Sequence, residues 1–366
     1  MVVVVAVLAA VVLPANADAA PRQLTASGKL VRGPQLAGAR VAWGEGRDGS
    51  NRQATVLGGP GVTRRVVYRD RGRSLGALTA SSFGLAFDWR RITDGGRSGP
   101  QYTSRLRAGP LAGPFSAIRG CPLAGAADLD GALLATAELS DCPNDTGASQ
   151  VVLRDLATGG QRAIPTTNFC GSSQGARLAG RYVAWCEQSN VRPTILVIVH
   201  DLVTGTEAYR IELRETGDLT FDVQADGKLA LTYADLALPG RRTRTVLEWY
   251  SPAEPRAHRL SQDLRRSGVR ITGDRMLVER DRGARSPGER RYELALFDLG
   301  GRTASVSRFA AGDRGGTGRR GEFDWDGRRV AYAFQRARLG RVRRGGRTRL
   351  RRISGPVVIQ AKRPPR

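Results

Sequence analysis

Histidine is almost missing from this 366-residue chain, with only His200 and His258 present. Two imidazoles are too few for multi-histidine metal centres or histidine acid–base relays. Lysine is nearly as scarce: the 58 Lys+Arg include just Lys29, Lys228 and Lys362, so the formal net charge of +24 is carried almost wholly by arginine. Such an Arg bias, with 46 Gly, is also what GC-rich coding writes, so the charge alone does not select a nucleic-acid partner. Aromatic residues make up 6%, which leaves little for stacking bases. Past the N-terminus no apolar run approaches the length of a bilayer span. The helix motif H-E-x-x-H and a Walker loop are both absent. At 40% hydrophobic and 25% charged, the chain nevertheless has the material for a core.

The N-terminal stretch MVVVVAVLAAVVLPANADAA pairs a short apolar run with two A-x-A-like sites, Ala15–Ala17 and Asp18–Ala20. It reads as a signal peptide over residues 1–20, followed by a single domain over 21–366. Export makes disulfides available to the four cysteines. Their placement about two successive glycines of the repeat described next favours Cys121–Cys142 and Cys170–Cys186. With no C-x-x-C pair, zinc is a poor alternative.

A glycine followed by a short apolar strand recurs seven times, at Gly38, Gly84, Gly131, Gly180, Gly227, Gly273 and Gly327, spaced 46 to 54 residues apart. Further β-rich runs follow each one, as in VVLRDLATG and ILVIVHDLVTG, and helical periodicity is nearly absent. A four-stranded unit cannot bury two faces alone, so such repeats stack radially. The reading is all-β: a seven-bladed β-propeller whose ring is closed by pairing N- and C-terminal strands. The segment Leu30–Leu36 is expected to supply the strand that PVVIQ (Pro356–Gln360) lacks.

FDWDGRRVAYAF (Phe323–Phe334), ADGKLALTY (Ala225–Tyr233) and the D-L-x-T-G turns at Asp155 and Asp201 resemble the signature of the TolB-like, WD-repeat-like β-propeller superfamily. That resemblance implies a periplasmic or cell-surface binding scaffold more often than an enzyme.

Three sets of residues are candidates for function. Glu45, Asp88, Glu138, Glu187 and Glu279 recur near the end of the strand after each glycine. If that strand is the innermost, they ring one channel mouth, where carboxylates hold Ca²⁺ or pair with arginines of the adjacent blade. Trp43 and Trp185 share a repeat position and read as packing between blades. The run Arg336–Arg352 concentrates Arg336, Arg338, Arg341, Arg343, Arg344, Arg347, Arg349, Arg351 and Arg352, alternating with Leu and Val as a two-stranded ribbon that turns at Gly345-Gly346. It suits either solvation or an anionic polymer. The sequence thus points to a non-catalytic exported scaffold, extracellular, at the cell surface or periplasmic, with a protein or envelope-polymer partner. No cofactor is required and nucleic acid is not expected. The alternatives are a Ca²⁺-dependent hydrolase, lactonase-like or lyase propeller, and a polyanion-binding surface protein.

Overall fold

The computed structural model describes residues 21–25, 30–46, 52–71, 73–93, 101–139, 149–170, 175–189, 194–214, 216–236, 244–264, 268–286, 289–312, 322–341 and 348–361. The expected signal peptide and Cys142 lie outside them. The described residues contain no helix and form seven four-stranded antiparallel sheets. In blades 1 to 6 the strands follow one another in chain order from the inside outward. The inner strands are Leu30–Ala37, Ser74–Ala80, Cys121–Asp130, Arg177–Ala179, Thr216–Val223 and Val269–Thr272, joined in blade 7 by Glu322–Trp325. Each packs against the inner strand of the next blade, which places all seven around a common axis.

The recurring glycines sit in the turn between the inner and second strands. Six have φ between +53° and +86°, a backbone region in which a side chain would be strained. Gly180 is further confined, because a Cβ there would lie 2.9 Å from that of Ala225 in the next blade. Gly84 departs from the rule: it opens the second strand, and an added Cβ would strike the Gly109 carbonyl oxygen. The Ser81 hydroxyl instead holds that turn, accepting from the amides of Phe83 and Gly84.

The expectation that the strand after each glycine is the innermost is corrected here. It is the second strand, and the strand before each glycine is the inner one. Burial explains the difficulty. Second strands such as Tyr182–Gln188 are covered on both faces by neighbouring blades, so they read as continuous apolar runs. Outer strands such as Thr206–Arg214 alternate buried and exposed with period two.

The apolar core divides among the interfaces. Seven buried clusters each join two adjacent blades, one for every interface around the ring. Trp43 packs with Ala331, Ala333, Val357 and Ile359 of blade 7, and Trp185 with Ala135, Val151 and Leu153 of blade 3.

Closure joins the termini, through a different segment from the one expected. Leu30–Ala37 is the inner strand of blade 1, and the outer strand of blade 7 is Arg22–Gln23, which pairs with Ile359 and Val358. Leu24 donates its amide to Val357 O at 2.8 Å, and the Val357 amide donates to the buried Thr25 hydroxyl at 2.9 Å. Thr25→Val keeps the shape and orphans that amide. It is expected to lower unfolding free energy by about 1–3 kcal/mol in urea titrations. An unchanged midpoint would show that the clasp is not part of closure.

Candidate functional site

One position of each inner strand lies opposite an apolar residue of the second strand, alanine in six of the seven blades: Gln35 opposite Ala42, Thr79 opposite Ala86, Asp128 opposite Ala135 and Arg177 opposite Ala184. The series continues with Asp222 opposite Ala230, Arg270 opposite Leu277 and Asp324 opposite Ala331. Blades 3 to 7 therefore carry alternating charge at the axis: Asp, Arg, Asp, Arg, Asp.

The carboxylates clasp neighbouring blades. Asp128 Oδ2 accepts the Leu178 amide at 3.0 Å, Asp222 Oδ2 the Ile271 amide at 2.9 Å, and Asp324 Oδ2 the Leu36 amide at 2.7 Å. In each case the donor is the residue just after the axial position of the next blade. Thr79 donates to Asp128 Oδ1 at 3.1 Å. Arg270 Nε donates to Asp324 Oδ1 at 3.2 Å, and its Nη1 lies 3.8 Å from Asp222 Oδ1, so one guanidinium ties blades 5, 6 and 7.

Enclosure at the axis perturbs these groups. Burial pushes Asp222 up to about 6, with Arg270, Arg177 and the Ile271 amide opposing and Asp128 adding to the shift. Arg270 is also disfavoured by burial, but Asp222 and Asp324 outweigh this and hold its pKa above the ordinary value.

The carboxylates singled out from sequence lie one strand further from the axis, near the end of the second strand remote from the glycine turn. Apart from Thr167, on the segment that leads from blade 3 into blade 4, each described partner lies within the carboxylate's own blade, where pairing with an arginine of an adjacent blade was the expectation. Glu45 accepts the Trp43 indole N–H at 2.8 Å and pairs with Arg64. Glu187 accepts the Trp185 indole N–H at 2.9 Å and the Thr167 hydroxyl. Asp88 pairs with Arg90 at 2.7 Å, and buried Glu138 with Arg154 and the Thr136 hydroxyl. Glu279 is buried in blade 6. Among the described residues, no three of His, Cys, Asp and Glu gather as a metal-holding group.

Two buried carboxylates of third strands were not singled out from sequence. Glu248 accepts from Tyr233, Tyr250 and Arg259. Burial pushes Glu293 upward, but bonds from Arg282 and Ser305 with the nearby charges of Arg280 and Arg282 prevail and hold it at about 2. Of the histidines, His200 is buried beside Trp185, and burial lowers its pKa; His258 stacks on Trp249 at 4.0 Å.

The two faces of the ring differ. Glycine turns and tight Asp-capped turns, such as those at Asp155 and Asp201, occupy one face. Hairpins between second and third strands occupy the other. In blade 7 that hairpin outruns its inner strand, which pairs only as far as Ala333, while Arg329–Arg341 and Thr348–Ala361 stay paired to Arg341 opposite Thr348. The ribbon read from sequence is thus formed; Arg343, Arg344, Arg347 and the Gly345-Gly346 turn lie outside the described residues. Cys170 and Cys186 are joined, with Cα atoms 5.5 Å apart, and fasten the segment before the inner strand of blade 4 to its second strand.

No protein-family model and no curated protein matches the sequence. Solved structures match by fold. A prolyl endopeptidase is similar at 19% identity and TM-score 0.56, over 85% of this chain and 45% of that chain. An oligogalacturonate lyase in complex with manganese is similar at 13% identity and TM-score 0.51, over 92% of this chain and 89% of that one. By fold the chain is a seven-bladed β-propeller. TolB of Acinetobacter baumannii is matched at 13% identity and TM-score 0.42, over 83% of this chain and 76% of that chain. This propeller spans less than half of the prolyl endopeptidase, so the likeness to it is one of architecture.

The shifted carboxylates of the propeller give opposite pH dependences. Asp222 holds its proton up to about 6 in the folded state and to 3.8 when unfolded, so its effect is a loss of stability as pH rises from 4 to 6. Glu293, held at about 2 against 4.5, contributes stability that is full above 4.5 and is lost as pH falls toward 2. Asp222→Asn is expected to flatten the slope between pH 4 and 6, worth on the order of 2 kcal/mol. Glu293→Gln should flatten the acid limb only. Denaturant titrations across pH decide this, and a D222N curve parallel to wild type would refute the assignment.

Proposed function

We propose that this protein is an exported, non-catalytic binding scaffold whose hairpin face engages an anionic polymer of the cell envelope. The observation that carries the reading is the register of the blade 7 ribbon. Arg338 is directly opposite Arg351, with Arg336 opposite Ile353, Leu339 opposite Leu350 and Gly340 opposite Arg349. Like charges directly opposite one another weaken a ladder. A two-stranded extension also gains little stability of its own, so fold energetics give no reason to keep four arginines there. An anionic partner does, since guanidinium groups bind phosphate and carboxylate bidentately. The apolar leader and the Cys170–Cys186 disulfide support an oxidising compartment outside the cytoplasm.

Linear polyphosphate serves as the probe polymer. Its affinity for the full chain should fall steeply with salt, and R336Q/R338Q/R349Q/R351Q should reduce the slope of log K against log salt by about three to four. An unchanged slope removes the ribbon from the binding face. Export is checked by N-terminal sequencing of protein recovered from cells, with a first residue of Asp18 or Pro21 expected and a retained Met1 refuting it.

A further inference from the structure

At the axis every described carboxylate is engaged and one guanidinium is not. Asp128 receives Thr79 and the Leu178 amide, Asp222 receives the Ile271 amide and faces Arg270, and Asp324 receives Arg270 and the Leu36 amide. Arg177 occupies the equivalent position of blade 4, and among the described residues its guanidinium makes no hydrogen bond and no ion pair. Five N–H donors in a planar fork are therefore unclaimed. The residue lies deep among the inner strands yet keeps partial exposure, and its nitrogens are not among the sealed, orphaned atoms of the described residues. They are within reach of a ligand moving along the axis.

Keeping a charge there costs stability. Burial disfavours the protonated guanidinium and nearby Arg270 adds repulsion, against a weaker pull from Asp128, Asp222 and Asp324. An unpaired, desolvated charge is among the costlier features a fold can retain. The ring does not need it for closure, because Gln35 and Thr79 fill the same position with neutral groups in blades 1 and 2. We propose that Arg177 anchors an axial binding site for the carboxylate or phosphate group of a small ligand. The planar fork fits either oxyanion through two parallel hydrogen bonds. Asp128 and Asp222 beside it offer acceptors to a hydroxyl or amine elsewhere on the ligand. This site is separate from the ribbon, so each reading stands or falls alone.

The test is calorimetric titration of the full chain at low ionic strength with succinate and, separately, inorganic phosphate. Saturable binding of at least one is expected, and the one that binds identifies the group preferred. Arg177→Gln should weaken that binding at least tenfold while raising the melting temperature of the ligand-free protein, since it removes an uncompensated charge. Arg177→Lys, which keeps the charge without the fork, should bind with intermediate strength. R336Q/R338Q/R349Q/R351Q should bind as wild type does. The proposal is overturned if neither anion binds saturably, or if R177Q retains wild-type affinity. It is equally overturned if R177Q lowers the melting temperature, which would make Arg177 a structural member of the ring.

Discussion

A four-stranded blade has two apolar faces and nothing of its own to cover them, and the rest of this molecule depends on that constraint. Each face must meet the next blade, so the chain is stable only as a closed ring. The seven interface clusters are the direct expression of this requirement. Burying a Leu or Phe contributes about 1.5–3 kcal/mol, which makes each interface a substantial term. Apolar contact is not directional, however, and would let adjacent sheets slide. The Asp128, Asp222 and Asp324 clasps remove that freedom, because each carboxylate meets one particular amide of the next blade. Interdigitated side chains give the ring its cohesion, and the clasps give it register.

Acidic residues are the scarce partners in this protein, 34 against 58 basic ones, and their distribution follows from scarcity. Glu45 and Glu187 each accept a buried indole N–H two residues back, so a large apolar ring lies in the interface without an orphaned donor. Glu138 is enclosed with Arg154 and Thr136, and Glu248 with Arg259 and two tyrosines. These groups satisfy one another inside single blades. Their recurrence in the sequence therefore records how a blade seats its polar atoms, and the shared repeat position follows from shared packing.

The repeat was legible because a glycine at positive φ is hard to replace and its spacing counts blades directly. Closure was legible in principle, while the closing segment was not. Arg22–Gln23 is a two-residue strand without hydrophobic alternation, and Leu30–Ala37 looked the stronger candidate. Inner and second strands were exchanged for a related reason. Inner strands are bulged in several blades and mixed in composition, whereas second strands carry a continuous apolar run such as Val41–Trp43 or Tyr182–Cys186. The axial charges escaped notice because they stand three residues before the glycine in five blades and five before it in the two with altered turns, Thr79 and Asp222. Read against the alanine opposite, the position would have been visible.

That alanine also separates what the fold demands from what it permits. Opposite the axial position, six blades have alanine and one has Leu277, a uniformity set by the close approach of neighbouring sheets. The axial position itself holds Gln, Thr, Asp, Arg, Asp, Arg and Asp, and packing does not impose that order. Three members are explained by clasps and Arg270 by its two carboxylates. Uniform positions are where the interface selects the residue, and divergent positions are where something else does. By that criterion the axis and the blade 7 ribbon are the places where this propeller departs from a repeated scaffold, and both do so with arginine. A guanidinium is always charged, so neither can be silenced by pH within the range in which the ring is folded. Arginines fixed at these two stations keep their positive charge under any ordinary condition. The Asp clasps let the axial station lie deep in the ring without pulling the blades apart.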